Sequence, residues 1–331
     1  MTATLSSPGR PGTTSLDRRA IAGAAAGGLA FGLLMLAPAL LSTYFVEIGF
    51  KLLLYIVLAE AWNLLAGYGG LVSLGTSSFF GLGAYVTAGL LNQSGMGLPL
   101  ALGVSALAGM TIALFMSRGL FRLRGLYFTV GTLALAEALR LLVVNVPWFG
   151  GASGLFVTVD LPDTPELFRF AAGLLALATA VMTLATGSRF SVLLRAVRDD
   201  EDAASQVGVR AFRIKLAAFL AASALVAMAG GLQAAKLGAI EPYGSFGMQW
   251  SIDPLAIVII GGLGMRLGAV IGGAFFVAIG ELLADYPELH VAITGVVLIL
   301  LIRFAPRGLC GLAQALIKRR SAPGATREAG A

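Results

Sequence analysis

Residues 215–235 read KLAAFLAASALVAMAGGLQAA, an apolar run whose single charged residue, Lys215, stands at its first position. A helix needs about 20 mostly apolar residues to cross the ~30 Å hydrocarbon layer of a bilayer. This run has that length and carries no charge in its interior. It therefore predicts a transmembrane helix in a protein that is solvated mainly by lipid.

The composition of the whole chain supports the same fold class. Of its 331 residues, 58% are hydrophobic and 12% are charged, whereas soluble domains are about 25% charged. Similar runs predict an all-α polytopic membrane protein with about ten transmembrane helices. The eighth and ninth runs are short and contain glycine, so we expect broken or re-entrant segments there. The predicted spans are 20–42, 48–66, 72–91, 98–117, 126–146, 167–187, 215–235, 252–264, 269–284 and 290–304.

Several glycines are spaced four residues apart, a pattern that lets helix backbones approach each other closely. We interpret them as packing residues and not as a phosphate-binding loop. The pairs and triplet are Gly23 with Gly27, Gly28 with Gly32, and Gly264 with Gly268 and Gly272.

The distribution of charge predicts the orientation in the membrane. Most of the 23 Lys and Arg residues fall in segments that alternate spans place on one side, and the loop 160–166 on the other side is acidic. Cytoplasmic loops carry the excess of Lys and Arg. The prediction is a disordered cytoplasmic tail 1–19, a membrane domain 20–304 with a cytoplasmic loop 188–214, and a cytoplasmic tail 305–331.

The first predicted span has an alternative interpretation. Arg18 and Arg19, the apolar run and Ala37-Pro38-Ala39 together are typical of a signal peptide with a cleavage site. Signal peptides usually have an apolar region of about 7–15 residues. The run here is close to 20 residues, which favours a retained helix.

Polar residues inside the spans are costly in lipid and mark candidate sites. Glu60 lies within the second span, with Asn63 about one helical turn further on. Glu137 and Arg140 are spaced to meet on one face of the fifth span. We expect Glu60, Asn63 and Glu137 to line a wet path. The alternative is structural: an ion pair between Glu137 and Arg140 and a helix-to-helix hydrogen bond from Glu60.

Several chemistries are excluded by residue content. His290 is the single histidine, so neither a histidine metal cluster nor a catalytic triad is available. No Gly-Lys pair occurs, so the chain has no Walker A loop for ATP. The lone Cys310 permits no intramolecular disulfide and is expected to be a packing residue. We therefore predict no catalytic residue, metal or cofactor, no nucleic-acid partner, and any ATPase on a separate polypeptide.

The loop after the sixth span contains RAVRDDEDAASQVG at 195–208. Its acidic residues favour a helix start because they complement the exposed amides there, and Gly208 can end that helix. A solvated turn would be the simpler interpretation. However, Asp202-Ala203-Ala204-xxx-Gly208 resembles the Glu-Ala-Ala-xxx-Gly loop through which importer permeases dock onto their ATPases. The residues assigned to this docking site are Arg195, Arg198, Asp199, Glu201, Asp202, Ala203, Ala204 and Gly208.

Four further blocks resemble the permeases of branched-chain amino-acid ABC transporters, across about residues 45–310. The first comprises AWNLLAGYGGLVSLG at 61–75 with FFGLGAY at 79–85, and the second LRGLYF at 123–128 with TLA at 132–134. The third is GGASGL at 150–155, and the fourth IGGLG at 260–264 with Leu267-Gly268. Chain length and the second block favour the LivM-type subunit over the LivH-type.

The resemblance implies an inner-membrane importer with a second homologous permease, two cytoplasmic ABC ATPases and a periplasmic solute-binding protein. It implies branched-chain amino acids or a related small polar solute, such as urea, an amide or an organic acid. Thr76, Ser153 and Ala269 stand where the family commonly has His, Asp and Pro, and we expect the first two near the permeation path. The residues assigned to that path are Glu60, Asn63, Ser73, Thr76, Thr132 and Glu137.

Two other functions are consistent with a membrane protein of this composition. An ion-coupled secondary transporter would use intramembrane carboxylates such as Glu60 or Glu137 directly, and the docking loop argues against it. A lipid-modifying enzyme would need clustered His, Asp or Lys at an interface, and the sequence shows no such cluster.

Overall fold

The structure is a computed structural model that describes residues 27–29, 31–284, 292–293, 295–296, 299–300, 303 and 308–312. The predicted tail 1–19 and His290 lie outside the described residues. Most of the predicted span 290–304 and of the tail 305–331 lies outside them as well.

Eleven helices are numbered here in chain order, after an apolar helical segment Gly27–Leu40. A π-helical turn, Asn63–Tyr68, continues the first of them. The helices are α1 Thr43–Trp62, α2 Thr76–Ser94, α3 Leu98–Leu120, α4 Leu126–Asn145, α5 Thr164–Gly187, α6 Arg189–Asp199, α7 Glu201–Gln206, α8 Ala211–Leu237, α9 Pro242–Ser245, α10 Gln249–Gly261 and α11 Gly268–Leu282.

Five helical segments in the described part are long and apolar enough to cross a membrane: Thr43–Tyr68, α3, α4, α5 and α8. The chain is thus an all-α membrane protein, as predicted, while the count of about ten spans remains a prediction. The one strand pair described is a two-residue ladder of β1, Leu155–Phe156, with β2, Ala239–Ile240. Short 3₁₀ turns at Pro147–Phe149 and Gly151–Ser153 precede it.

Several predicted boundaries differ by a few residues, such as Thr43 for 48 and Ala211 for 215, and two differences change the architecture. The third span does not begin at residue 72, because residues 69–75 form a non-helical turn and α2 starts at Thr76. The loop 188–214 contains two helices, α6 and α7, instead of one short helix. The first of these, Arg189–Asp199, was not predicted from the sequence.

The centre of the bundle is the long helix α8, which packs against α2 and α3. A Cβ atom at Gly83 would overlap the backbone of Ala227, and one at Gly230 would overlap the backbone of Phe80. Because neither glycine carries a side chain, the backbones of α2 and α8 lie in direct contact. This close approach fixes the position of Phe80, which forms part of a cavity described below.

The glycine predictions have a mixed outcome. Gly268 and Gly272 pack directly on the backbone of α10, near Gly261 and Ile257, as the spacing predicts. In contrast, Gly27, Gly28 and Gly32 have no described atom within 4 Å of the Cβ position. The spacing pattern therefore identified a tight contact only where a second helix of this chain covers the glycines.

Candidate functional site

The predicted docking segment is an ordered pair of helices beside the start of α8. The Asp200 side chain caps α7 by accepting a hydrogen bond from the Ala203 backbone N–H at 2.9 Å. Gly208 ends the segment with φ of +88°, a conformation that glycine adopts without strain. The acidic helix start and the glycine stop are therefore where the sequence predicts them.

Side-chain contacts hold this segment against neighbouring parts of the bundle near the start of α8. Arg124, in the α3–α4 turn, donates two hydrogen bonds to Asp202 at 3.0 and 3.1 Å. These hydrogen bonds lower the pKa of the Asp202 carboxyl below its usual value. Glu201 pairs with Lys215 of α8, and the Arg198 guanidinium donates to the Gly67 carbonyl at 2.9 Å.

The remaining docking residues divide into inward and outward groups. Ala204 is buried with Val197 and Ala211, so its side chain stabilises the segment and is not presented to a partner. Arg195 bonds within its own helix to Ser191, and Asp199 pairs with Arg198. Ala203 and Gly208 are exposed. Two exposed valines, Val192 and Val207, lie on the same segment and were not singled out from the sequence.

Asn63 ties the end of α1 to the turn between α10 and α11. Its side chain is fully buried, donates to the Met265 carbonyl at 3.1 Å and accepts from the Gly264 N–H at 2.8 Å. Both functions of the amide are thereby used. Asn63 joins two chain segments and does not face a wet path here.

The turn 69–75 brings three predicted path residues together. Ser73, Thr76 and Thr132 are all buried beside it. Thr132 accepts from the Leu74 N–H at 3.1 Å, and the Trp62 indole donates to the Ser73 carbonyl at 2.9 Å. The space lined by Ser73 and Thr76 is about 10 Å³, which is at the lower limit for a single water molecule. This space is too small to hold a solute.

The two candidate carboxylates lie apart from that turn and from each other. Glu60 is buried between α1 and α5, where the Thr179 hydroxyl donates to it at 3.2 Å. Glu137 lies on an exposed face of α4 and pairs with Arg140. The Arg140 guanidinium also stacks over the Tyr243 ring, 4.4 Å from its centre. The structure therefore contains both contacts of the structural alternative: the ion pair between Glu137 and Arg140, and a hydrogen bond between Glu60 and a neighbouring helix.

A cavity of about 490 Å³ lies at the far end of α8. Phe80 and Trp250 stack along one side of it, with ring centres 3.9 Å apart. Polar side chains from four segments reach it, and one of them is Ser153, which the sequence placed near the permeation path. The other four side chains were not singled out from the sequence, although Gln233 interrupts an otherwise apolar run. The polar lining consists of Ser153, Gln233, Glu241, Ser245 and Gln249.

The cavity and the docking segment lie at opposite ends of one helix. Lys215, near the start of α8, pairs with Glu201 of the docking segment, whereas Gln233 and Leu237, near its end, line the cavity. A helix of 27 residues is about 40 Å long, which is enough to cross a bilayer. The two features therefore lie at opposite ends of a helix that is long and apolar enough to cross a membrane.

Within the described residues, no group of three or more His, Cys, Asp or Glu is arranged to hold a metal ion. Cys310 is buried, in agreement with a packing role. The fold, with five described helical segments long and apolar enough to cross a membrane, defines the class of an integral membrane protein.

The comparison with known proteins identifies the family. Residues 44–302 match the branched-chain amino acid transport system permease component, so the chain belongs to that family. The permease LivM of Salmonella typhimurium, from a high-affinity branched-chain amino acid transport system, is 29% identical over 86% of this chain and 74% of its own length. LivM of Escherichia coli is 28% identical over the same shares.

A more distant relative imports a different solute. The autoinducer 2 import permease LsrC of Yersinia enterocolitica is 27% identical over 64% of this chain and 60% of its own length. No solved structure matches the chain. The relatives named here are permease proteins of transport or import systems, and none of their names indicates catalysis.

Proposed function

We propose that this chain is the transmembrane permease subunit of an ATP-binding-cassette importer for branched-chain amino acids or a related small polar solute. The observation that carries the proposal is the placement of an ordered docking segment and a polar-rimmed cavity at opposite ends of α8. An importer needs this separation, because ATP is hydrolysed on one side of the membrane and solute arrives on the other.

The proposal includes an orientation and a set of partners. The docking segment 188–214 and both termini face the cytoplasm, and the cavity faces the periplasm. Two ABC ATPases bind on the cytoplasmic side, a second permease packs alongside, and a periplasmic protein delivers solute. About ten helices in total cross the membrane. The exposed α4 face, with Glu137 and Arg140, then lies toward the second permease or the passage, because lipid solvates charges poorly.

Reconstitution tests the function directly. The chain is co-expressed with its ATPases, second permease and binding protein, and the complex is placed in proteoliposomes. We expect uptake of radiolabelled leucine or a related solute only with ATP at the docking side, and none with a proton gradient alone. Gradient-driven uptake by this chain without ATPases would make it a secondary transporter and would contradict the proposal.

A further inference from the structure

Three polar side chains at the cavity have free hydrogen-bonding capacity. The side chains of Gln233, Glu241 and Gln249 have no hydrogen-bonding partner among the residues that the structure describes. They come from α8, from the turn after β2 and from the first position of α10. Polar groups that converge unpaired on a preformed cavity are typical of a ligand site.

The backbone around these groups is held firmly. The Trp250 indole donates to the Gly244 carbonyl at 2.9 Å, which fixes α9 against α10. The loop that carries Ser153 is held by Asn92, which donates to the Phe156 carbonyl at 2.7 Å and accepts from the Thr158 N–H at 2.9 Å. The cavity walls are therefore set before any solute enters.

The lining has one charge, and it is negative. Glu241 is exposed to the cavity, and none of the described lining residues is Lys or Arg. Lys236 lies next in sequence to the lining, but its ammonium is bound 3.0 Å from Glu47 and 3.0 Å from Thr164. A solute that carries only a carboxylate would meet repulsion here without a compensating cation.

We propose that this cavity binds the ammonium group of an amino-acid-like solute at Glu241. The Gln233 and Gln249 amides both donate and accept hydrogen bonds, so they can contact the carboxylate and the ammonium of a zwitterion. The Phe80–Trp250 stack takes the apolar side chain. The proposal rests on the proposed importer function and narrows its substrates to amines and amino acids, in preference to organic acids.

Two leucine analogues separate the contributions of the two charges. Isoamylamine is leucine without its carboxylate, and 4-methylpentanoate is leucine without its ammonium. Competition against radiolabelled leucine is measured on the assembled permease–ATPase complex in nanodiscs, without binding protein. Because hydrogen bonds between opposite charges are the stronger ones, we expect leucine and isoamylamine to bind at least about tenfold more tightly than 4-methylpentanoate.

Substitutions then assign the effect to Glu241. Glu241→Gln should weaken the binding of isoamylamine by about tenfold, because the charge-assisted hydrogen bond is lost. The binding of 4-methylpentanoate should stay unchanged or become tighter. Ser153→Asp should make isoamylamine bind more tightly, since it adds a second carboxylate to the cavity lining. Glu166→Gln is the matched control: it removes a carboxylate that lines a separate, mainly apolar cleft and should change neither affinity.

Three results would overturn the proposal: equal binding of the acid and the amine, an unchanged affinity after Glu241→Gln, or no saturable binding by wild type. If the complex with Glu241→Gln does not assemble, the Ser153→Asp complex is used for the test. An unchanged or weaker affinity of that complex for isoamylamine would then contradict the proposed site. ATP-dependent uptake is measured in parallel on the same wild-type complex after reconstitution into proteoliposomes with its binding protein. If ATP-dependent uptake is observed together with any of these three results, the amine site is rejected and the proposed importer function is retained.

Discussion

At the scale of single residues, Asn63 has the clearest structural role. Its amide bridges two backbone groups about 200 positions away in the sequence, at Gly264 and Met265. Removing it would leave the Gly264 N–H and the Met265 carbonyl, both partly buried, without this partner. Each such group costs about 1–3 kcal/mol.

Asn63→Leu should therefore lower the free energy of unfolding by about 2–3 kcal/mol from those two groups together, since each is only partly buried and lies at the lower end of that range. Thermal melting of the complex in detergent measures it. Asn145→Leu is the matched control, because the Asn145 amide is exposed and bonds only to Leu141 of its own helix. A melting temperature for Asn63→Leu equal to that of the control would show that the bridge contributes little.

Glu60 and Glu137 distinguish the importer from an ion-coupled carrier. Glu60→Gln retains an acceptor for the Thr179 hydroxyl but cannot carry a proton. Glu137→Gln likewise retains a hydrogen-bond acceptor for Arg140. In the reconstituted complex, we expect both variants to keep ATP-dependent uptake within about threefold of wild type. Uptake driven by ATP does not require either carboxylate to bind and release a proton.

The control for Glu60 is Thr179→Val, which removes the same hydrogen bond from the other side. Its uptake should match that of Glu60→Gln. Loss of all transport in both Gln variants, with normal assembly and normal transport by Thr179→Val, would favour proton coupling.

At the scale of elements, the docking segment combines an inward and an outward surface. Ala203 is exposed and Ala204 is buried one position later. A charge at Ala203 would remain in solvent, whereas a charge at Ala204 would be placed inside the cluster with Val197 and Ala211. Adjacent positions therefore separate partner binding from folding.

Ala203→Asp should abolish co-purification of the ATPases while the melting temperature stays near that of wild type. Ala204→Asp should lower the melting temperature as well, because a buried unpaired charge is costly. Ser205→Asp, also exposed, controls for added charge alone. Normal ATPase binding by Ala203→Asp would exclude that face of α7 from the docking surface.

Gly208 tests the geometry of the same segment. With φ of +88° and open space around its Cβ position, a larger side chain would strain the backbone and would not clash. Gly208→Val should therefore uncouple ATPase activity from uptake while the protein remains in the membrane, since a β-branched residue resists this conformation. Flux and ATPase assays on one preparation measure the coupling. Fully coupled transport by this variant would contradict a structural need for glycine.

At the scale of the whole molecule, the orientation in the membrane can be tested from both sides. The acidic loop 160–166 and the cavity lie at one end of α8, and Val207 lies at the other. After replacement of Cys310 by Ser, single cysteines at Asp160 and Val207 are labelled in intact cells with a membrane-impermeant maleimide. We expect rapid labelling at Asp160 and none at Val207 until the membrane is opened, because the reagent does not cross lipid. The reverse pattern would invert the proposed topology.

Much of the fold and part of the site follow from the sequence alone. Apolar runs determined the all-α membrane class, since lipid leaves few structures that satisfy every backbone group. The acids at 199–202 and Gly208 determined where α7 begins and ends, because helix ends depend on local residues. Residues of the turn 69–75 were recognised as important, although their closed, hydrogen-bonded arrangement was not.

The neighbours of each side chain were decided only by the tertiary structure. The sequence grouped Glu60, Asn63 and Glu137 as one path. In the structure, Glu60 is buried between α1 and α5, and Asn63 is hydrogen-bonded to the turn at Gly264 and Met265. Glu137 lies on an exposed face of α4. Likewise, Gln233, Glu241 and Gln249 meet at one cavity through a two-residue β ladder and a stacked aromatic pair. Helical periodicity sets which face a residue occupies. It does not set which helix, or which solvent, that face meets, because this depends on contacts between segments far apart in the chain.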